Sequence, residues 1–153
     1  MWIRASFAGY KMATIYMAGH SNHTVAEFLA LLAKHGVQTL VDVRSFPRSK
    51  YTPQFDTEVL APAAAAAGMR YEHRPQLGGR FAIAEEKLRA NLATLPAASE
   101  RICLMCSEGD FHKCHRHYLL APLLISAGHQ VRQIARDGAA REDAGPAQME
   151  MFA

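Results

Sequence analysis

Short apolar runs alternate with stretches of helical period along this chain. Residues 14–18, TIYMA, are apolar enough for a buried strand and stop at Gly19. Thr24 stands where a helix cap belongs. Glu27, three residues on, completes a capping box, and Phe28, Leu31 and Leu32 line one face until Gly36 ends the run. Residues 38–43 read as a second strand. After the loop SFPRSKYTPQF, the alanine-rich residues 56–67 predict a helix closed by Gly68, with Pro62 in its middle. A third strand is expected at 69–73, a third helix at about 82–95 and a strongly apolar fourth strand at 102–105. A last helix, from about 113 to 127 and strained or kinked at Pro122, is closed by Gly128 before a fifth strand at 130–134.

This rhythm predicts an α/β fold: a single three-layer α/β/α domain on a mostly parallel sheet of about five strands. The length, 153 residues, suits one domain, and no internal repeat is present. Residues 1–11 read as an N-terminal extension and 12–136 as the α/β domain. The polar stretch 137–153, rich in Ala, Gly and charge, reads as a mobile tail.

Composition narrows the classes. Half the residues are apolar and 20% charged, which excludes a globally disordered chain. No run approaches the ~20 apolar residues that cross a bilayer, and the opening MWIRASFAGYK lacks the apolar core and cleavage site of a secretory signal. A cytoplasmic protein with no membrane partner is expected. Cys103, Cys106 and Cys114 are an odd, crowded set, which suits reduced thiols better than a disulfide scaffold. The charge of +3 permits a polyanionic partner without demanding one.

In open parallel sheets, ligands bind beyond the carboxyl ends of the strands. That rule selects four polar loops: 19–24 (GHSNHT), 41–55, 73–80 and 106–116. Arg44, Arg48, Lys50, Arg74, Arg80 and Arg116 would project to that end, and the guanidinium fork matches phosphate oxygens. Gly78 and Gly79 let backbone approach a ligand, and a helix starting near Lys113 would add amides and a positive dipole end. The alternative is that these bases pair with Asp42, Glu72, Glu108 and Asp110. Asp42 and Arg44, two apart on a strand, share a face, so Asp42 would orient Arg44 or act as a base. His20, directly after Gly19, and Glu108 are the other acid/base candidates.

Four segments in this order, GHSNHT, DVRSFPRSKYTPQF, LGGR and LMCSEGD…KCHR, resemble the family known as domain of unknown function 488, over about residues 14–134. The resemblance implies an α/β fold and this residue set, and no particular reaction. Pro122 inside the last helix is a departure from the family's pattern.

Cys106 opens a second chemistry. A strand ending in Cys, a polar loop and a helix resembles in outline the active-site loop of rhodanese-like sulfurtransferases and Cys-dependent phosphatases, and Val41-Asp42-Val43-Arg44 echoes a rhodanese-like strand. Against it, nine residues separate Cys106 from Arg116 and two of them are acidic, which would repel an anion and raise the thiol pKa. Cys103-x-x-Cys106 with Cys114-His115 offers zinc-ligand types, but a strand puts Cys103 and Cys106 on opposite sides, so no metal or cofactor is expected.

The end of the chain, Gln148-Met149-Glu150-Met151-Phe152, resembles the Gln-x-x-Leu-Phe peptide that docks bacterial replication and repair proteins on the DNA sliding clamp, with Met151 in place of Leu. Met151 and Phe152 would fill an apolar groove and Gln148 would supply hydrogen bonds. The basic loops and this tail together point to an enzyme or binding protein for a phosphate-bearing substrate, nucleic acid or nucleotide, linked to DNA repair. The alternatives are a Cys106-dependent sulfurtransferase or phosphatase, and a non-catalytic adaptor for nucleic acid and clamp.

Overall fold

The computed structural model describes residues 12–79 and 82–146. Strands β1 (Thr14–Gly19), β2 (Thr39–Asp42), β3 (Arg70–His73), β4 (Ile102–Cys106), β5 (Gln130–Ile134) and β6 (Ala140–Asp143) form one sheet in the order β3-β2-β4-β1-β5-β6. All pairs are parallel except β5 with β6.

Helices cover both faces. Phe28 and Leu32 of α1 (Val25–Lys34) and Leu60 and Ala64 of α2 (Thr57–Ala66) pack with Leu40, Cys103 and Met105. On the other face, Leu88 and Leu92 of α3 (Glu85–Ala93) and Leu123 and Leu124 of α4 (Ala121–Ser126) meet Ile15, Met17, Val41 and Leu104. The alternation of inward side chains along each strand assigns residues to the two cores, which is why Cys103 and Cys106 part company. The capping box forms: Glu27 N donates to Thr24 Oγ1 at 3.1 Å and Thr24 N to Glu27 Oε2 at 3.2 Å. Among the described residues no helix is long and apolar enough to cross a membrane.

Two expectations are corrected. The sheet has six strands, not about five, because the expected tail from 137 turns back through Gly138 and pairs along β5. What fixes β6 is one buried side chain: Asp143 accepts from Gln133 Nε2 at 3.0 Å and from Gly145 N at 2.9 Å, and its Oδ2 lies 2.9 Å from His117 Nδ1. The expected helix over 113–127 also divides, into a short 3-10 turn at Phe111–Lys113, a π turn at Arg116–Leu120 and then α4. Ala121 N donates to Arg116 O, and this wide turn buries both Arg116 and His117, which are consecutive. Pro122 falls in the first turn of α4, where a missing amide costs least.

The helices that follow β1 and β4 lie on opposite faces although the strands are neighbours. This is the switch point of the sheet, where a crevice opens beyond the strand ends.

Candidate functional site

At that point a cavity of about 550 Å³ is lined from all four loops: His20, then Arg44, Ser45, Phe46, Ser49 and Thr52, then Gly79, then the segment around Cys106, Glu108, Lys113, Cys114 and His115.

One wall is Arg44, held from every side. Its Nε and Nη2 donate to the two oxygens of Asp42 at 2.9 and 2.8 Å, Nη2 also to Phe55 O at 2.7 Å, and Nη1 to His20 Nε2 at 3.3 Å. Four of the guanidinium's five N–H groups are thereby used, leaving one on Nη1 for a ligand. Asp42, fully buried, also accepts from Arg44 N at 3.1 Å and from Tyr71 Oη at 2.5 Å, so its lone pairs are filled. Burial first and then this bond push the Tyr71 hydroxyl up to about 12. His20 Nδ1 lies 2.8 Å from Ser21 O, so it carries the ring proton and Nε2 is the lone pair facing Arg44. Burial, with the Arg44 charge adding to it, brings His20 down to about 4. His20 is thus neutral, stacked on Phe55 at 4.3 Å, with both nitrogens engaged. In this arrangement Asp42 and His20 position Arg44.

The other predicted bases disperse. Arg48 pairs with Glu58 on the surface, and Lys50 lies over the Tyr51 ring at 5.1 Å. Arg74 spends its guanidinium on Glu72 at 2.6 Å and on Asn91 O at 3.1 Å. None of the three lines the cavity. Gly78 is buried against Ser45, and Gly79 lies against the His115 ring, where a Cβ would sit 2.7 Å from Cγ. Glu108 stands at the rim, its Oε1 accepting from Asp110 N at 3.0 Å. Arg80, Gln148, Met151 and Phe152 lie outside the described residues.

The floor is made of sulfur. The 3-10 turn, capped by Asp110 Oδ1 accepting from His112 N at 3.1 Å, folds the loop after β4 back on itself. Arg116 Nη1 consequently lies 2.6 Å from Cys106 Sγ, despite the nine intervening residues that had argued against the contact. The same Nη1 donates to Glu108 O at 2.6 Å, and Nε to Gln133 Oε1 at 2.9 Å. Gln133 in turn binds Asp143, so β6 braces the site's second arginine.

Cys114 Sγ lies 2.9 Å from Cys106 Sγ. The Cys106 S–H donated to it, outweighing burial and helped by His115, the Arg116 charge and the Arg116 N–H, brings the Cys114 thiol down to about 4, while Cys106 is pushed up by that bond and by burial. His115 Nε2 is 3.1 Å from Leu77 O, a contact that orients the ring with Nδ1 toward Cys114 Sγ at 3.6 Å. Cys103 is sealed in the opposite core and pushed up to about 12 by burial. Among the described residues no three His, Cys, Asp or Glu side chains gather as a metal ion would need.

Cys114 and His115, which the sequence offered only as zinc-ligand types, also line the cavity. Residues 24–87 match the family model described as Domain of unknown function DUF488, a narrower span than the resemblance suggested, holding Asp42, Arg44, Gly78 and Gly79 and ending before Cys106. No curated protein matches the chain. Over residues 24–87, the chain is similar to the DUF488 family.

Proposed function

We propose that this protein is a thiol-dependent enzyme acting on a phosphate-bearing substrate, with the Cys114 thiolate as its attacking sulfur. One observation carries the reading: a thiol pair braced by Arg116 forms the floor of a cavity of substrate size. The spare Arg44 N–H, the hydroxyls of Ser45, Ser49 and Thr52, and Lys113 supply donors for phosphate oxygens around it. His115 is in reach to take or return a proton, and the Arg116 cation offsets negative charge at the sulfurs. Phe46, 57% exposed at the rim, offers a ring on which a base stacks, so a nucleotide or nucleic acid end suits the cavity.

The test is the pH profile of iodoacetamide alkylation of the full chain, read residue by residue by mass spectrometry. Between about pH 5.5 and 7.5 an ordinary thiol speeds up roughly 10²-fold as it ionises. Cys114, already ionised, should show a nearly flat rate, and a nucleoside monophosphate should slow it. A rate that climbs like an ordinary thiol's and ignores the nucleotide overturns the proposal.

The clamp-like tail belongs to the same reading, which places the protein in DNA repair and, with its reduced thiols, in the cytoplasm. Truncation after Ala147 should abolish binding of the full chain to a bacterial sliding clamp in a surface-plasmon assay. Equal binding by both lengths retires the tail's role.

A further inference from the structure

A nucleophilic thiol enzyme needs one sulfur, and this cavity holds two. The second is no bystander of packing. Cys106 Sγ lies 2.9 Å from Cys114 Sγ, inside the contact distance of two sulfurs that merely touch, and a disulfide would need them to close by less than about 1 Å. Cys106 is anchored in β4, while Cys114 follows the short turn that brings it back, so the movement falls on the loop. Arg116 Nη1, 2.6 Å from Cys106 Sγ, is placed to hold that sulfur as it loses its proton. The third cysteine, Cys103, faces the other core and cannot reach either partner.

We propose that Cys114 and Cys106 are a dithiol couple, attacking and resolving, that reduces a hydroperoxide and closes to an intramolecular disulfide. In the first step the Cys114 thiolate attacks one peroxide oxygen and the O–O bond breaks. The departing alkoxide takes a proton and leaves as an alcohol, or as water when the peroxide is hydrogen peroxide, and Cys114 is left as a sulfenic acid. In the second step Cys106 gives up its proton and attacks the Cys114 sulfur, the S–O bond breaks, and hydroxide leaves as water with that proton. The sum is two thiols and one hydroperoxide going to one disulfide, one alcohol and one water. Two electrons pass from sulfur to oxygen, and an external dithiol resets the pair. While closed, the disulfide removes the thiolate that the phosphate chemistry uses, so this inference rests on the proposed function and adds an oxidant-driven off state to it.

The experiment treats the full chain with one equivalent of hydrogen peroxide and maps peptides without reduction. The expected product is a Cys106–Cys114 link, with Cys103 still alkylatable, and dithiothreitol restores both thiols. In Cys106→Ser the reaction should stop at Cys114 sulfenic acid, captured by dimedone, and pass to sulfinic acid with excess peroxide. In Cys114→Ser, Cys106 should not be oxidised on the same timescale. If Cys114 shows the flat alkylation profile but peroxide yields no internal link, the couple is overturned and the thiolate enzyme stands. If the profile is that of an ordinary thiol and no link forms, both fall.

Discussion

Gly19→Ala should be among the most damaging single-methyl changes in this protein. A Cβ at Gly19 would lie 1.7 Å from Glu108 O and 2.5 Å from Glu108 C, and these are backbone atoms with no rotamer to escape into. The crowding has a cause in the ladder. His20 N donates to Cys106 O at 2.9 Å and Ser21 N to Ser107 O at 3.0 Å, which carries the β1–β4 pairing past the strand ends and draws residue 108 over Gly19. Glu108 O is also the acceptor for Arg116 Nη1 at 2.6 Å. A methyl group therefore pushes on the carbonyl that keeps Arg116 against Cys106. Overpacking costs about 1–3 kcal/mol, and disturbing a buried charged hydrogen bond adds about 1.5–3 kcal/mol. We expect a loss of at least ~3 kcal/mol in urea unfolding, with the flat alkylation profile of Cys114 lost as well. Gly109→Ala is the control: its Cβ would meet only the Ser21 side chain, 3.0 Å from Oγ and 3.1 Å from Cβ, with no backbone overlap, and should cost clearly less than Gly19→Ala. Equal midpoints for Gly19→Ala and the wild type would show that the loop yields.

The same contact explains what the sequence could and could not show. Local chemistry was legible: the Thr24–Glu27 box and the apolar runs that became β1, β2 and β4 concern neighbours in the chain or the period of a strand. β6 was not, because Ala140–Asp143 is polar and only Asp143 is buried; its place is set by Gln133 and His117, which are distant in sequence. The contact of Arg116 with Cys106 was hidden for a related reason. Counting nine residues to Arg116 measures chain length, whereas the 3-10 turn and the π turn decide where the guanidinium arrives. For Arg48, Lys50 and Arg74 the sequence shows charge but not competition. Glu58 engages Arg48, the Tyr51 ring engages Lys50, and Glu72 and Asn91 O engage Arg74.

Asp42→Ala should be as costly as Gly19→Ala, through charge and not space. Removing the carboxylate leaves the Arg44 guanidinium, 7% exposed, with Phe55 O and His20 as its remaining partners, and strips the Tyr71 hydroxyl of its acceptor at 2.5 Å. Breaking a buried pair by deleting one member costs about 3–5 kcal/mol, since the survivor keeps its desolvation without its counter-charge. Asp42→Asn keeps the shape and an oxygen for one donor, so it should fall between Asp42→Ala and the wild type. The decisive variant is the double one, Asp42→Ala with Arg44→Met, in which no charge is stranded. If the pair exists to present Arg44 to a ligand, the double variant should regain more than half of the stability lost by Asp42→Ala, while a nucleoside monophosphate no longer slows alkylation of Cys114. Losses that simply add in the double variant would mean that the two side chains act independently, and protection that persists without Arg44 would move the phosphate site elsewhere in the cavity.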